Sequence, residues 1–161
     1  MNKSYLLDKE TAHEAFVLVE KSIQDFLKLE RSWRSGFHCV VLDPRAKHGE
    51  VALEDAILFE YSIDSENWDI DLKDLARKKA KVSWEHNQDS FLVQQLSPYL
   101  YEKGDNKYAG AVVHHGLVVS VASIQWYFDE LFSVWIASSC RALSIEKMEK
   151  ILNNKDQHIV E

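Results

Sequence analysis

Two apolar, β-branched runs held apart by only three residues constrain this chain more than anything else in it. Residues 111–113 and 117–121 flank His114-His115-Gly116, the shape of a tight hairpin, and strands joined that closely must run antiparallel. Residues 125–143 follow at once, with Phe128, Leu131, Phe132, Trp135, Ile136, Ser139 and Leu143 at helical spacings, the stripe of one buried face. Hairpin and helix together are predicted to form the centre of the fold. Ser144-Ile145-Glu146 can cap a further helical stretch through Met148 and Leu152, and the polar tail after 153 is expected to fray.

Upstream, helical and strand periods alternate. Ala12, Ala15, Phe16, Val19, Ile23, Phe26 and Leu27 predict a helix that Asp8 caps and that runs to about Trp33, with Gly36 past its end. Residues 37–42 make a continuous apolar run, a buried strand stopped by Asp43-Pro44 because proline has no amide donor. Lys47-His48-Gly49 marks a turn. Residues 51–55 either extend the next strand or form a short one of their own. Ile57, Phe59, Tyr61 and Ile63 alternate with other residues, so this strand has one apolar face. Leu72, Leu75, Ala76, Lys79, Val82 and Ser83 predict a helix from near Asp71 to about Glu85. The glutamine-rich stretch 91–100, with Pro98, shows neither period, and Lys103-Gly104-Asp105-Asn106 is a turn. Such an order predicts an α+β domain: a single antiparallel sheet of about five strands flanked by helices.

With 161 residues, two prolines and five glycines, the chain has room for one domain over 1–161 and little for linkers or repeats. A net charge of −7 argues against a nucleic-acid backbone as partner. No apolar run approaches bilayer-spanning length, and residues 1–7 lack the apolar stretch of a secretory signal. A cytoplasmic protein with no membrane partner is therefore expected, with Cys39 and Cys140 as buried, reduced thiols.

Residues that could carry chemistry are few. His114 and His115 can ligate a metal or a haem iron, because a neutral imidazole nitrogen is a good donor to either. Strand neighbours point to opposite faces, so both serve one ligand only if the turn bends them together; otherwise they are exposed turn residues. Arg77, Lys78, Lys79 and Lys81 form a basic patch, read as a solvated helix face or as an anion site for a carboxylate or phosphate. Glu85, His86 and Asp89 could begin a carboxylate–histidine metal site, but no third ligand stands at a standard spacing, which favours a polar helix end. Trp126 and Tyr127 fall outside the last helix's stripe, where they can line a ligand pocket, form an oligomer interface or pack against 91–100. There is no Gly-x-Ser-x-Gly, phosphate-cradling glycine loop, His-Glu-x-x-His or Cys-x-x-Cys, which weighs against the common hydrolase, kinase, dehydrogenase and zinc-protease classes.

Tyr108-Ala109-Gly110-Ala111-Val112-Val113, the run 117–123, Asp129, and Ala76-Arg77-Lys78-Lys79-Ala80 with Ser90 after it carry a resemblance. Together they resemble the GlcG/HbpS-like group of haem-binding or haem-degrading-domain proteins, and within it a small uncharacterised branch found in bacteria and fungi. The first stretch looks like that family's Gly-Gly-x-Pro-Ile strand and the second like its glycine- and serine-rich strand. Asp129 matches an acidic position opening the final helix, and Lys79 lies in what looks like the lysine-containing central helix. Ala109 stands where the first glycine is expected, Val112 or Val113 where the proline falls, and Ala122-Ser123-Ile124 replaces a Ser-Gly-Leu-Pro turn. In the family that glycine and proline shape the backbone around the pocket.

The resemblance implies a profilin-like α/β/α arrangement, homo-oligomers and, in some members, haem or another small ligand. It makes a non-catalytic small-ligand-binding protein the first expectation, with haem the candidate cofactor. His114 or His115 would be its axial ligand, Lys79 would face a propionate, and Asp129 and Trp126 would complete the site. The alternative expectation is an oligomeric adaptor or protein-interaction domain without a small ligand. An enzyme using Asp129 or Glu85 as acid or base has no geometric support in the sequence.

Overall fold

A computed structural model describes residues 4–29, 32–156 and 158–160. Helix α1 (Lys9–Leu27) opens at Asp8, whose carboxylate accepts from the Thr11 amide at 2.7 Å, as predicted. It stops at Leu27, well short of Trp33. The Lys28 amide turns back onto the Asp25 and Phe26 carbonyls, and Leu29 and Trp33 are exposed, so no packing holds a further turn. Residues 30 and 31 of the predicted last turn lie outside the described residues.

Strand β1 (Phe37–Leu42) is buried at every position. Residues 51–55 make neither strand predicted for them: α2 (Leu53–Ala56) is a single helical turn that runs straight into β2 (Ile57–Ile63). The Ala56 amide reaches the Ala52 carbonyl at 3.1 Å, which closes that turn. Helix α3 (Leu72–His86) is capped by Asp71 and ends at Asn87 in the left-handed region. The stretch without a period becomes α4 (Ser90–Leu96) and a 3₁₀ turn begun by Pro98.

The hairpin forms as read, from β3 (Ala111–His114) and β4 (Leu117–Ala122). His115 and Gly116 take φ of 51° and 85°, the pair of positive values a two-residue turn of this hand requires. Helix α5 (Trp126–Asn153) is one continuous helix of 28 residues. Ser144 caps nothing; its hydroxyl donates to the Cys140 carbonyl inside the helix at 2.9 Å. The buried face of α5 includes Asp129 and Ser133 beside Phe132 and Ile136, whereas Leu131 of the predicted stripe is 37% exposed. The predicted polar tail leaves the helix at Asn153, and its residues 157 and 161 lie outside the described residues.

The four strands form one antiparallel sheet in the order β2-β1-β4-β3, within the α+β class predicted and one strand fewer than about five. Alternation along β1 sorts the core into two layers. Cys39 and Val41 join Phe16, Ile23, Phe132 and Ile136 under α1 and α5, while Val40 and Leu42 join Leu72, Ala76 and Ala80 under α3. Each large side chain buried this way stabilises the fold by roughly 1.5–3 kcal/mol. Helices on both faces explain why β1 and β4 are buried without a break. Both cysteines are free and buried, and burial pushes both thiols up, Cys140 to about 12. No helix of the described residues is long and apolar enough to cross a membrane.

Candidate functional site

The open end of the hairpin, away from its turn, is where charged groups gather in the core. Gly110 precedes β3, residues 121–122 end β4, α3 passes alongside, and α5 begins at Trp126. Lys79 of α3 donates to Asp129 Oδ2 of α5 at 2.8 Å and to the Val121 carbonyl at 3.1 Å. Both side chains of the pair are 4% exposed. Asp129 Oδ1 accepts from the Ile124 amide at 3.2 Å. Burial pushes the Asp129 carboxyl up, against the pull of Lys79 and of the Ser123 and Ile124 amides.

Gly110 makes room for this pair. Its φ is 135°, and a Cβ placed there would lie 2.9 Å from Asp129 Cβ and 3.0 Å from both Lys79 Nζ and the Val121 carbonyl. The surrounding backbone is fastened by hydroxyls. The Gly110 and Ala111 amides donate to Ser90 Oγ at 3.0 Å each, and Ser133 donates to the Gly110 carbonyl at 2.6 Å.

Above the pair opens a cleft of about 330 Å³, walled by Trp33, Ile70, Leu75, Tyr108, Ile124 and Trp126. Arg34 stands at its rim. Its guanidinium donates to the Ser123 carbonyl at 2.8 Å and to Asp69 at 3.0 Å, and lies 4.2 Å from the centre of the Trp33 ring. Trp126 meets two of the roles open to it: it stacks on Phe91 of α4 at 4.7 Å, and it lines the cleft. Tyr127 is half exposed.

Of the five residues predicted for a ligand site, Lys79, Asp129 and Trp126 come together here. His114 and His115 do not. They sit at the turn, roughly 13 Å of strand away for the four residues of β3. His114 Nε2 is 3.5 Å from Ser138 Oγ, its ring meets that of His115 edge-on, and neither residue lines the cleft. One haem cannot take an axial histidine from the turn and set a propionate on Lys79. The cleft lining holds no histidine, so the histidine-ligated haem site expected from the sequence does not fit these residues.

The basic patch divides. Arg77, Lys78 and Lys81 lie on the solvated side of the helix, paired with Glu60, with Asp74, and with Glu85 and Asp105, while Lys79 is buried on another side. Residues 85–89 are a helix end: Glu85 is held by Lys81, and Asp89 accepts from the Val113 amide at 2.7 Å. Among the described residues no group of three histidine, cysteine or acidic side chains could hold a metal ion. Sequence reading missed Arg34, Trp33 and Tyr108 as parts of the site. All three lie in loops, which carry no period; an arginine beside a tryptophan just past a predicted helix was the one available signal.

Comparison with known proteins finds no matching family model, no matching curated protein and no matching solved structure.

Proposed function

We propose that this is a non-catalytic small-molecule-binding protein whose ligand, a planar organic anion, occupies the Lys79–Asp129 cleft. The observation that carries the reading is a buried ion pair opening onto an aromatic-walled cavity of about 330 Å³. That volume lies within the range of roughly 300–1,000 Å³ in which proteins hold small ligands. Trp33, Tyr108 and Trp126 offer flat, apolar walls. Arg34 and Lys79 place two cationic donors in the lining, held in position by Asp69 and Asp129. Helix α5 begins at the cleft, with Gln125 and Trp126 in its lining and no side-chain cap from Gln125, which adds the positive end of a long helix. Nothing in the lining pairs a nucleophile with a base: the Ser123 hydroxyl is spent on the Gly36 carbonyl at 2.7 Å.

Titration with an aromatic sulfonate such as anilinonaphthalene sulfonate, and separately with hemin, tests this reading through tryptophan fluorescence. Saturable one-to-one quenching is expected, weakened tenfold or more by Trp126→Ala and by Arg34→Ala. The absence of a saturable site, or one indifferent to both substitutions, overturns it. A hemin Soret shift that disappears only when His114 and His115 are both replaced by alanine would move the site to the other end of the hairpin.

A further inference from the structure

The two edges of the sheet are finished differently. The outer side of β3 is taken up by the start of α4: the Val113 amide donates to Asp89 Oδ1, the Gly110 and Ala111 amides donate to Ser90 Oγ, and that hydroxyl donates to the Ala111 carbonyl. Among the described residues β2 has no such cover. Among those residues, the one hydrogen bond onto its backbone from outside the sheet comes from Trp68 Nε1 to the Ile63 carbonyl, at its last residue. Six of its seven positions are only half buried. Its register slips once, at Leu58, and residues 59–63 then pair regularly with β1. Natural edges are blunted by charges, lysine above all, by proline or by bulges. Residues 57–63 contain no lysine or proline, their one charge, Glu60, is held by Arg77 and Lys73, and their one bulge is confined to the strand's start.

Charges beside β2 are arranged to complement themselves. On the α1 side, Lys9 borders the groove at the strand's start, with Ile57 and Phe59, while Glu20 lies further along and accepts from the Tyr61 hydroxyl at 3.4 Å. On the α3 side Glu54 borders the start, and Lys73 sits at the strand's middle, 3.3 Å from Glu60. A twofold axis normal to an antiparallel strand pair brings the start of each strand to the end of the other. Lys9 then meets Glu20 of the second copy. Near the axis each Glu60 is already neutralised by Arg77 at 2.7 Å.

We infer that β2 is a self-recognition edge, through which two copies of this chain pair antiparallel about an axis near Glu60 and join their sheets into one. This does not depend on the cleft or its ligand. Light scattering and sedimentation equilibrium at micromolar concentration are expected to show a dimer, with β2 amides protected from hydrogen exchange. Lys9→Glu sets carboxylate against carboxylate twice across the axis and is expected to weaken association at least tenfold. Lys9→Glu/Glu20→Lys exchanges the charges and is expected to restore it. Circular dichroism checks that both variants keep the fold. A monomer throughout the micromolar range, an assembly indifferent to Lys9→Glu, or a double variant that fails to reassociate each overturns the inference. A monomer whose β2 amides become protected only when an extended peptide is added would assign the edge to a peptide instead.

Discussion

One hairpin carries two ends of opposite construction. At its turn, His114 and His115 face solvent or half face it, and a Cβ at Gly116 would meet nothing within 4 Å. At its open end, side chains from α3, α4 and α5 converge on Gly110, and all of Lys79, Ser90, Asp129 and Ser133 are buried. Water satisfies the first end at no structural expense. The second must satisfy its own charges, since a buried carboxylate or ammonium without a partner is severely penalised. A polar residue conspicuous in sequence can therefore be structurally idle, while one hidden in a helix stripe governs how three elements meet.

The sharpest way to break this contrast is Lys79→Met. It strands the Asp129 carboxylate in the core, and a loss of about 3–5 kcal/mol in urea unfolding is expected. Lys79→Met/Asp129→Leu should recover much of that loss, because a buried pair replaced by apolar groups of similar volume is often close to neutral. A double variant worse than either single change would mean that the pair does more than neutralise itself. Ser90→Ala comes next: it removes the acceptor of two buried amides, and a loss of about 1–3 kcal/mol is expected by the same measurement.

These effects also show which parts of the fold could be read from sequence. The stripe of α1, the run 37–42 and the alternation in 57–63 each have one repeating environment, so periodicity revealed them. The His115-Gly116 turn was legible because its conformation is local. Helix α4 was not: seven residues with only Ser90 and Val93 buried leave too little period to see. The site was legible only in part. Lys79 and Asp129 stand fifty positions apart, on helices whose facing is decided by packing, and Arg34 arrives from a loop. Their juxtaposition is a property of the sheet order, in which β1 lies between β2 and β4.

A second histidine sharpens the contrast through pH. His38 is buried, with Nδ1 2.8 Å from Ser62 Oγ and Nε2 3.2 Å from Glu60. Burial lowers its pKa, against the opposing pull of Glu60. The unfolded chain binds that proton near pH 6.5, so His38 contributes fully above this value, and its contribution is lost as pH falls toward the folded pKa. Glu60 is ionised throughout that window: burial acts to raise it, but hydrogen bonds from Arg77 and His38 hold it at about 2. The urea midpoint is therefore expected to fall between pH 7.5 and 5.5. His38→Gln should flatten most of the slope, whereas His114→Ala should leave most of it, since His114, also lowered chiefly by burial, is only half buried. Equal flattening by the two changes would erase the distinction between a core histidine and a turn histidine.

The smallest effect, at His115, is the most discriminating when set beside Gly110. Gly110 and His115 both hold positive φ, 135° and 51°, but only 51° lies in the small left-handed basin open to a residue with a side chain. Packing widens the difference. At His115, His115→Gly relieves a left-handed residue but loosens the unfolded chain, and the two nearly cancel; a change within about 0.5 kcal/mol is expected. At Gly110, Gly110→Ala adds strain of about 1–3 kcal/mol and also drives a methyl against Asp129 and Lys79. Differential scanning calorimetry of the two variants measures the difference directly. If Gly110→Ala proved as mild as His115→Gly, the open end would have slack that the 2.9 Å approach to Asp129 denies it.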